Sequence, residues 1–81
     1  MKLSIVTGEY KRLGRQIAEI MWMYDEETPE HQQAIQTYLK FEAQVLNPKN
    51  EIQFECAKAF IMAGGEFIKE IKNFEEPLET K

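Results

Sequence analysis

Of the side chains that most often do covalent chemistry in enzymes, this 81-residue sequence holds a single cysteine (Cys56), histidine (His31), serine (Ser4) and aspartate (Asp25). A lone cysteine excludes an intrachain disulfide framework and a cysteine-based zinc site, and it fits a reducing, intracellular setting. A Ser-His-Asp set is possible only by count. Ser4 lies near the start, His31 falls in the opening turn of a predicted helix, and no segment offers a rigid oxyanion site. A metal site would need His31, Cys56 and carboxylates to converge without any local ligand pair such as His-x-x-x-His. The sequence therefore predicts no catalysis, no metal and no cofactor. Apolar runs are also short, none approaching the roughly 18 residues of a membrane span. The opening Met1-Lys2-Leu3-Ser4-Ile5-Val6-Thr7 is too short for the apolar segment of a signal peptide, so a soluble, cytoplasmic protein is expected. Basic charge is scarce as well: 10 lysines and arginines against 14 acids leave a net charge of −4. That balance argues against a duplex-DNA binder, because phosphate neutralisation supplies most of such affinity.

What is present is helical periodicity. Val6, Tyr10, Leu13, Ile17, Ile20 and Tyr24 recur at spacings of 4, 3, 4, 3 and 4, which is one face of a helix. Asp25-Glu26-Glu27 ahead of Thr28-Pro29 ends it, since carboxylates at the negative pole are unfavourable. The first helix is predicted over 6–25. Thr28 then caps a second, Pro29 takes the first helical position, and Glu30 complements the positive pole. Ala34, Tyr38, Phe41 and Val45, flanked by Ile35, Leu39 and Leu46, give this helix its stripe over 29–46. Asn47-Pro48 repeats the same device and predicts a third helix over 48–73, striped by Ile52, Cys56, Ala59, Phe60, Ala63, Phe67, Ile71 and Phe74. Glu75-Glu76-Pro77 ends it, with 75–81 as a loose tail.

Leu3 to Thr7 competes as a short edge strand, but one strand has nothing to pair with. No repeat or low-complexity linker divides the chain. The expected fold is all-α: one domain over 1–81, a three-helix antiparallel arrangement in which a helical hairpin is extended by a third helix. Gly64-Gly65 inside the third helix costs about 1 kcal/mol per glycine relative to alanine. Two readings follow: the helix breaks there with Gly65 as a cap, or it continues and the bare backbone admits another helix or a ligand.

Two surface features stand out. Ile20-Met21-Trp22-Met23-Tyr24 places five large apolar residues around more than one helical turn, so no rotation hides them all in a domain this small. Ile20 and Tyr24 are expected inside. Met21, Trp22 and Met23 are expected at a subunit or partner interface, and the chain is expected to form a homo-oligomer. Charge is also uneven: residues 1–20 hold four bases against two acids, and 21–81 hold six against twelve, which is +2 and then −6. Lys11 and Arg15 lie one turn apart with Arg12 adjacent, near the positive pole of the first helix. This cluster suits a phosphate, but spacing alone favours a solvated face paired with Glu9, Glu19 or acids of another helix. Cys56, on an apolar stripe, reads as a small core residue.

Gly8 followed by Tyr10-Lys11-Arg12-Leu13 is similar, with Glu9 intervening, to a Gly-Tyr-Arg-x-Leu motif. Ala57-Lys58 followed by Gly64 and an aromatic-aliphatic run resembles an Ala-Arg…Gly-Phe-Met segment. Both motifs belong to the phage helical-hairpin proteins that sequester cyclic-nucleotide or cyclic ADP-ribose signals of bacterial immunity, the anti-CBASS and anti-Thoeris sponges. Glu70 stands where that family carries a basic residue, and the motifs cover about a third of the chain. The resemblance implies an oligomer of hairpins holding a nucleotide second messenger. Tyr10 would stack on a base, Lys11, Arg12, Arg15 and Lys58 would meet phosphates, and Gly64 and Gly65 would let the ligand near the backbone. Tyr10 also fits a packed core ring. The expected function is thus a non-catalytic phage sponge. The alternative is an inhibitor that binds a host protein through the Trp22 girdle and an acidic surface.

Overall fold

The residues around Thr28 build the first turn as their chemistry predicts. Thr28 is extended at φ −81°, ψ 151°, its hydroxyl accepts a hydrogen bond from the His31 backbone N–H at 3.2 Å, and Pro29 opens the helix. His31 Nδ1 donates to the Tyr24 carbonyl at 3.0 Å and Gln32 Nε2 to the Glu26 carbonyl at 2.6 Å. The first bond serves a carbonyl at the end of the preceding helix and the second one in the turn that follows it. The computed structural model describes residues 3–75, folded as α1 (Leu3–Met23), α2 (Pro29–Leu46) and α3 (Glu51–Glu75), with no strand among them.

Boundaries differ from the sequence reading at both ends of α1 and of α3: α1 stops at Met23, two residues before the predicted 25, and α3 continues to Glu75, two beyond the predicted 73. Leu3 to Thr7 is helical, so α1 begins three residues ahead of the predicted position 6, and the Thr7 hydroxyl donates to the Ser4 carbonyl at 3.2 Å. α3 begins at Glu51 and not at 48. Asn47 closes α2, donating its N–H to the Ala43 carbonyl at 2.9 Å. Asn50 caps α3: its Oδ1 accepts from Gln53 N–H at 2.8 Å while Gln53 Oε1 accepts from Lys49 N–H at 2.8 Å. This reciprocal pair, close in form to a capping box, satisfies more backbone donors than Asn47 alone could, and Pro48 is left in the turn. Of the loose tail predicted over 75–81, Glu75 is helical and 76–81 lie outside the described residues.

α2 runs back along α1 and α3 runs back along α2, so α1 and α3 point the same way. No described glycine has a positive φ, and the glycines of the crossing serve space, not conformation. A Cβ on Gly14 would collide with the Phe60 carbonyl oxygen and lie 3.0 Å from its carbon. One on Gly64 would stand 3.3 Å from the Gly14 carbonyl oxygen and 3.4 Å from Tyr38 Cε2. α3 therefore continues through Gly64-Gly65, and what approaches the bare backbone at Gly64 is another helix. The buried core is small: Ala18, Ala34, Cys56, Ala57, Ala59, Ala63 and Phe60, the last fully enclosed. Around Phe60 runs a string of rings. Phe41 stacks on it at 4.2 Å between centroids, Tyr38 lies at 6.1 Å, and Tyr10 meets Phe41 edge-on at 5.7 Å.

Candidate functional site

Adjacent helical residues point about 100° apart, so the Tyr10-Lys11-Arg12 run cannot act on one face. The structure divides it. Lys11 turns toward α3, where it shares a groove of about 350 Å³ with Thr7 of α1 and with Glu55, Lys58, Ala59, Met62, Ala63 and Glu66 of α3. Tyr10 and Arg12 line a separate groove of about 530 Å³ with Glu9, Leu13, Gln16 and Phe41. Tyr10 is half-buried there and belongs to the aromatic string. Arg15 lies in neither: its guanidinium reaches Glu70 at 3.3 Å and sits 5.2 Å over the Phe67 ring. Glu70 holds Arg15.

Gly64 is buried in the crossing, whereas Gly65 faces outward with nothing within 4 Å of a notional Cβ. At the far end of α1, Met21 is half-buried, while Trp22 and Met23 are exposed.

Of the predicted ligand residues, Lys11 and Lys58 are the pair that the fold brings to one groove. The Lys58 ammonium also lies 5.6 Å over the Phe54 ring, which holds its stem along α3. Ala59, Met62 and Ala63 give the groove an apolar surface, and Glu55 and Glu66 set two carboxylates beside the two ammonium groups. These α3 residues were not singled out from sequence. Their positions, 55, 59, 62 and 66, are nevertheless one helical face, and that spacing identifies them once Lys11 is known to lie opposite.

Other reactive groups are dispersed. Ser4 opens α1, His31 is in the first turn of α2 at the opposite end of that helix, and Cys56 is buried in α3. Burial pushes the Cys56 thiol above its ordinary value of 9.0, and the charge of Glu55 adds to the effect. Among the described residues no group of three or more histidine, cysteine or acidic side chains is placed to hold a metal ion. No helix among them is long and apolar enough to cross a membrane. Compared with family models, curated proteins and solved structures, the chain has no match.

Proposed function

We propose that the protein works by binding a small phosphorylated nucleotide, not by turning one over, with Lys11 and Lys58 contacting phosphate. The observation that carries this reading is the convergence of those two lysines, from separate helices, on one groove of about 350 Å³. The charge of the groove narrows the ligand further. Two ammonium groups favour an anion, yet Glu55 and Glu66 penalise one that brings negative charge alone. A nucleotide answers both: its phosphate pairs with the lysines, its exocyclic amine or ribose hydroxyls donate to a carboxylate, and its ring lies on Ala59, Met62 and Ala63. The resemblance to phage sponges supports sequestration of such a molecule as an immune signal. A groove open on one side is also what self-association would complete.

Thermal unfolding with and without a micromolar cyclic nucleotide tests this, because a ligand that binds the native state raises the melting temperature. The double substitution Lys11→Glu/Lys58→Glu should abolish the rise and leave helix content intact. Arg15→Gln should keep most of it, since that guanidinium is engaged by Glu70. An absent rise in the natural sequence, or an undiminished one in the double variant, removes the groove from consideration.

A further inference from the structure

Beyond the Lys11–Lys58 groove, roughly 16 Å along α1 from Lys11, Trp22 and Met23 are 55% and 60% exposed, with Tyr24 exposed beside them. A groove of about 320 Å³ between α1 and α2 opens at Tyr24 and is lined by Ile17, Ile20 and Ala34 among others. Along the chain from the end of α1 into α2, the charge at this corner has one sign. No lysine or arginine occurs between Arg15 and Lys40, a stretch that holds Glu19, Asp25, Glu26, Glu27 and Glu30. Asp25, Glu26, Glu27 and Glu30 are all exposed, and no ion pair with a described residue neutralises them.

Consecutive apolar side chains left at this exposure, ringing the end of a helix, mark a contact surface. Charge decides what covers it. A second copy docked by the same corner in a two-fold contact would set four carboxylates against four more, and nucleic acid would bring phosphates against them. A positive protein segment gains from both halves of the surface. Arginine suits it better than lysine, because a guanidinium stacks on an indole or phenol ring and also donates two parallel hydrogen bonds to a carboxylate. We infer that the corner formed by Trp22, Met23 and Tyr24 with the carboxylates of Asp25, Glu26, Glu27 and Glu30 docks an arginine-rich segment of another protein. The inference is independent of the nucleotide groove and stands if that reading fails.

Trp22 is the only tryptophan in the chain, so its emission reports on the corner directly. The full chain is titrated with a synthetic peptide of alternating arginine and alanine, and with lysine and glutamate counterparts of equal length. The arginine peptide should change Trp22 emission and bind several-fold more tightly than the lysine peptide, while the glutamate peptide does nothing. Asp25→Asn/Glu26→Gln/Glu27→Gln should weaken binding about tenfold, and Glu9→Gln/Glu42→Gln/Glu51→Gln, an equal loss of charge elsewhere, by less than about twofold. Equal losses in the two triple variants would reduce the effect to general attraction by an acidic protein and overturn the site. Equal binding of the arginine and lysine peptides, or an unmoved Trp22 emission, would overturn it too. Sedimentation showing a dimer that excludes the peptide would give the corner to a second copy.

Discussion

A methyl group added at Gly14 would meet the Phe60 backbone, whereas one added at Gly65 would meet nothing within 4 Å. The same glycine-to-alanine change should therefore have opposite signs at the two positions. Gly14→Ala is expected to destabilise by about 3 kcal/mol, because a backbone carbonyl cannot move aside as a side chain can. Gly65→Ala should stabilise by about 1 kcal/mol through helix propensity alone. Gly64→Ala, with its nearest neighbours at 3.3 and 3.4 Å, should fall between them. Urea denaturation followed by circular dichroism separates the three. The sequence made only part of this legible. Two consecutive glycines in a predicted helix announce a peculiarity, but Gly14 between Leu13 and Arg15 looks ordinary until Phe60 of another helix is placed against it. An acid of another helix was an expected partner for Arg15, but that it is Glu70 was hidden for the same reason. Cys56 gives a second prediction at this scale. With its pKa raised by burial, the thiol keeps its proton in the folded chain at neutral pH, so iodoacetamide should label it slowly until denaturant is added. As pH climbs past 9.0 the unfolded chain loses that proton first, and the fold should lose stability.

Helix boundaries test a different kind of inference. The apolar stripes carried the existence and order of all three helices, since spacings of three and four are satisfied by one secondary structure only, but not every packing residue: Leu13, Tyr24 and Ile52 of the stripes are exposed, Tyr24 against expectation, and Ala57, off the stripe, is fully buried. The start of α3 was not legible from Asn47-Pro48. An asparagine before a proline can close one helix as well as open the next, and here the backbone of Asn47 is committed to Ala43 while Asn50 and Gln53 share the new cap. Substitution distinguishes the two roles. Asn50→Ala should cost about 1 kcal/mol by removing the acceptor of the Gln53 N–H. Asn47→Ala should cost only a few tenths, because its N–H bond to Ala43 survives any side-chain change. Thr28→Ala, which removes the acceptor of the His31 N–H, should resemble Asn50→Ala. Equal costs at 47 and 50 would restore the earlier helix start.

Across the whole molecule, enclosure is concentrated in one ring. Among the described residues the other buried ones are five alanines, Cys56, Gly14 and Gly64, and Phe60 alone is a large side chain fully out of water, stacked on Phe41. Among the described residues nine large apolar side chains remain exposed, from Ile5 in α1 to Met62 in α3. Phe60→Ala should therefore act on the fold as a unit. A truncation of this kind costs about 3–5 kcal/mol, while a single core of this size supplies roughly 3–5 kcal/mol in total. The variant is expected to lose its cooperative thermal transition, and Phe60→Leu, which keeps most of the volume, to retain one at lower temperature. The comparison also weighs the exposed side chains. If Phe60→Ala still melted cooperatively near the natural temperature, the missing stabilisation would have to come from surface that a lone chain leaves open. The transition should then move with protein concentration, since a fold held together by its neighbours cannot have a melting temperature independent of how many are present.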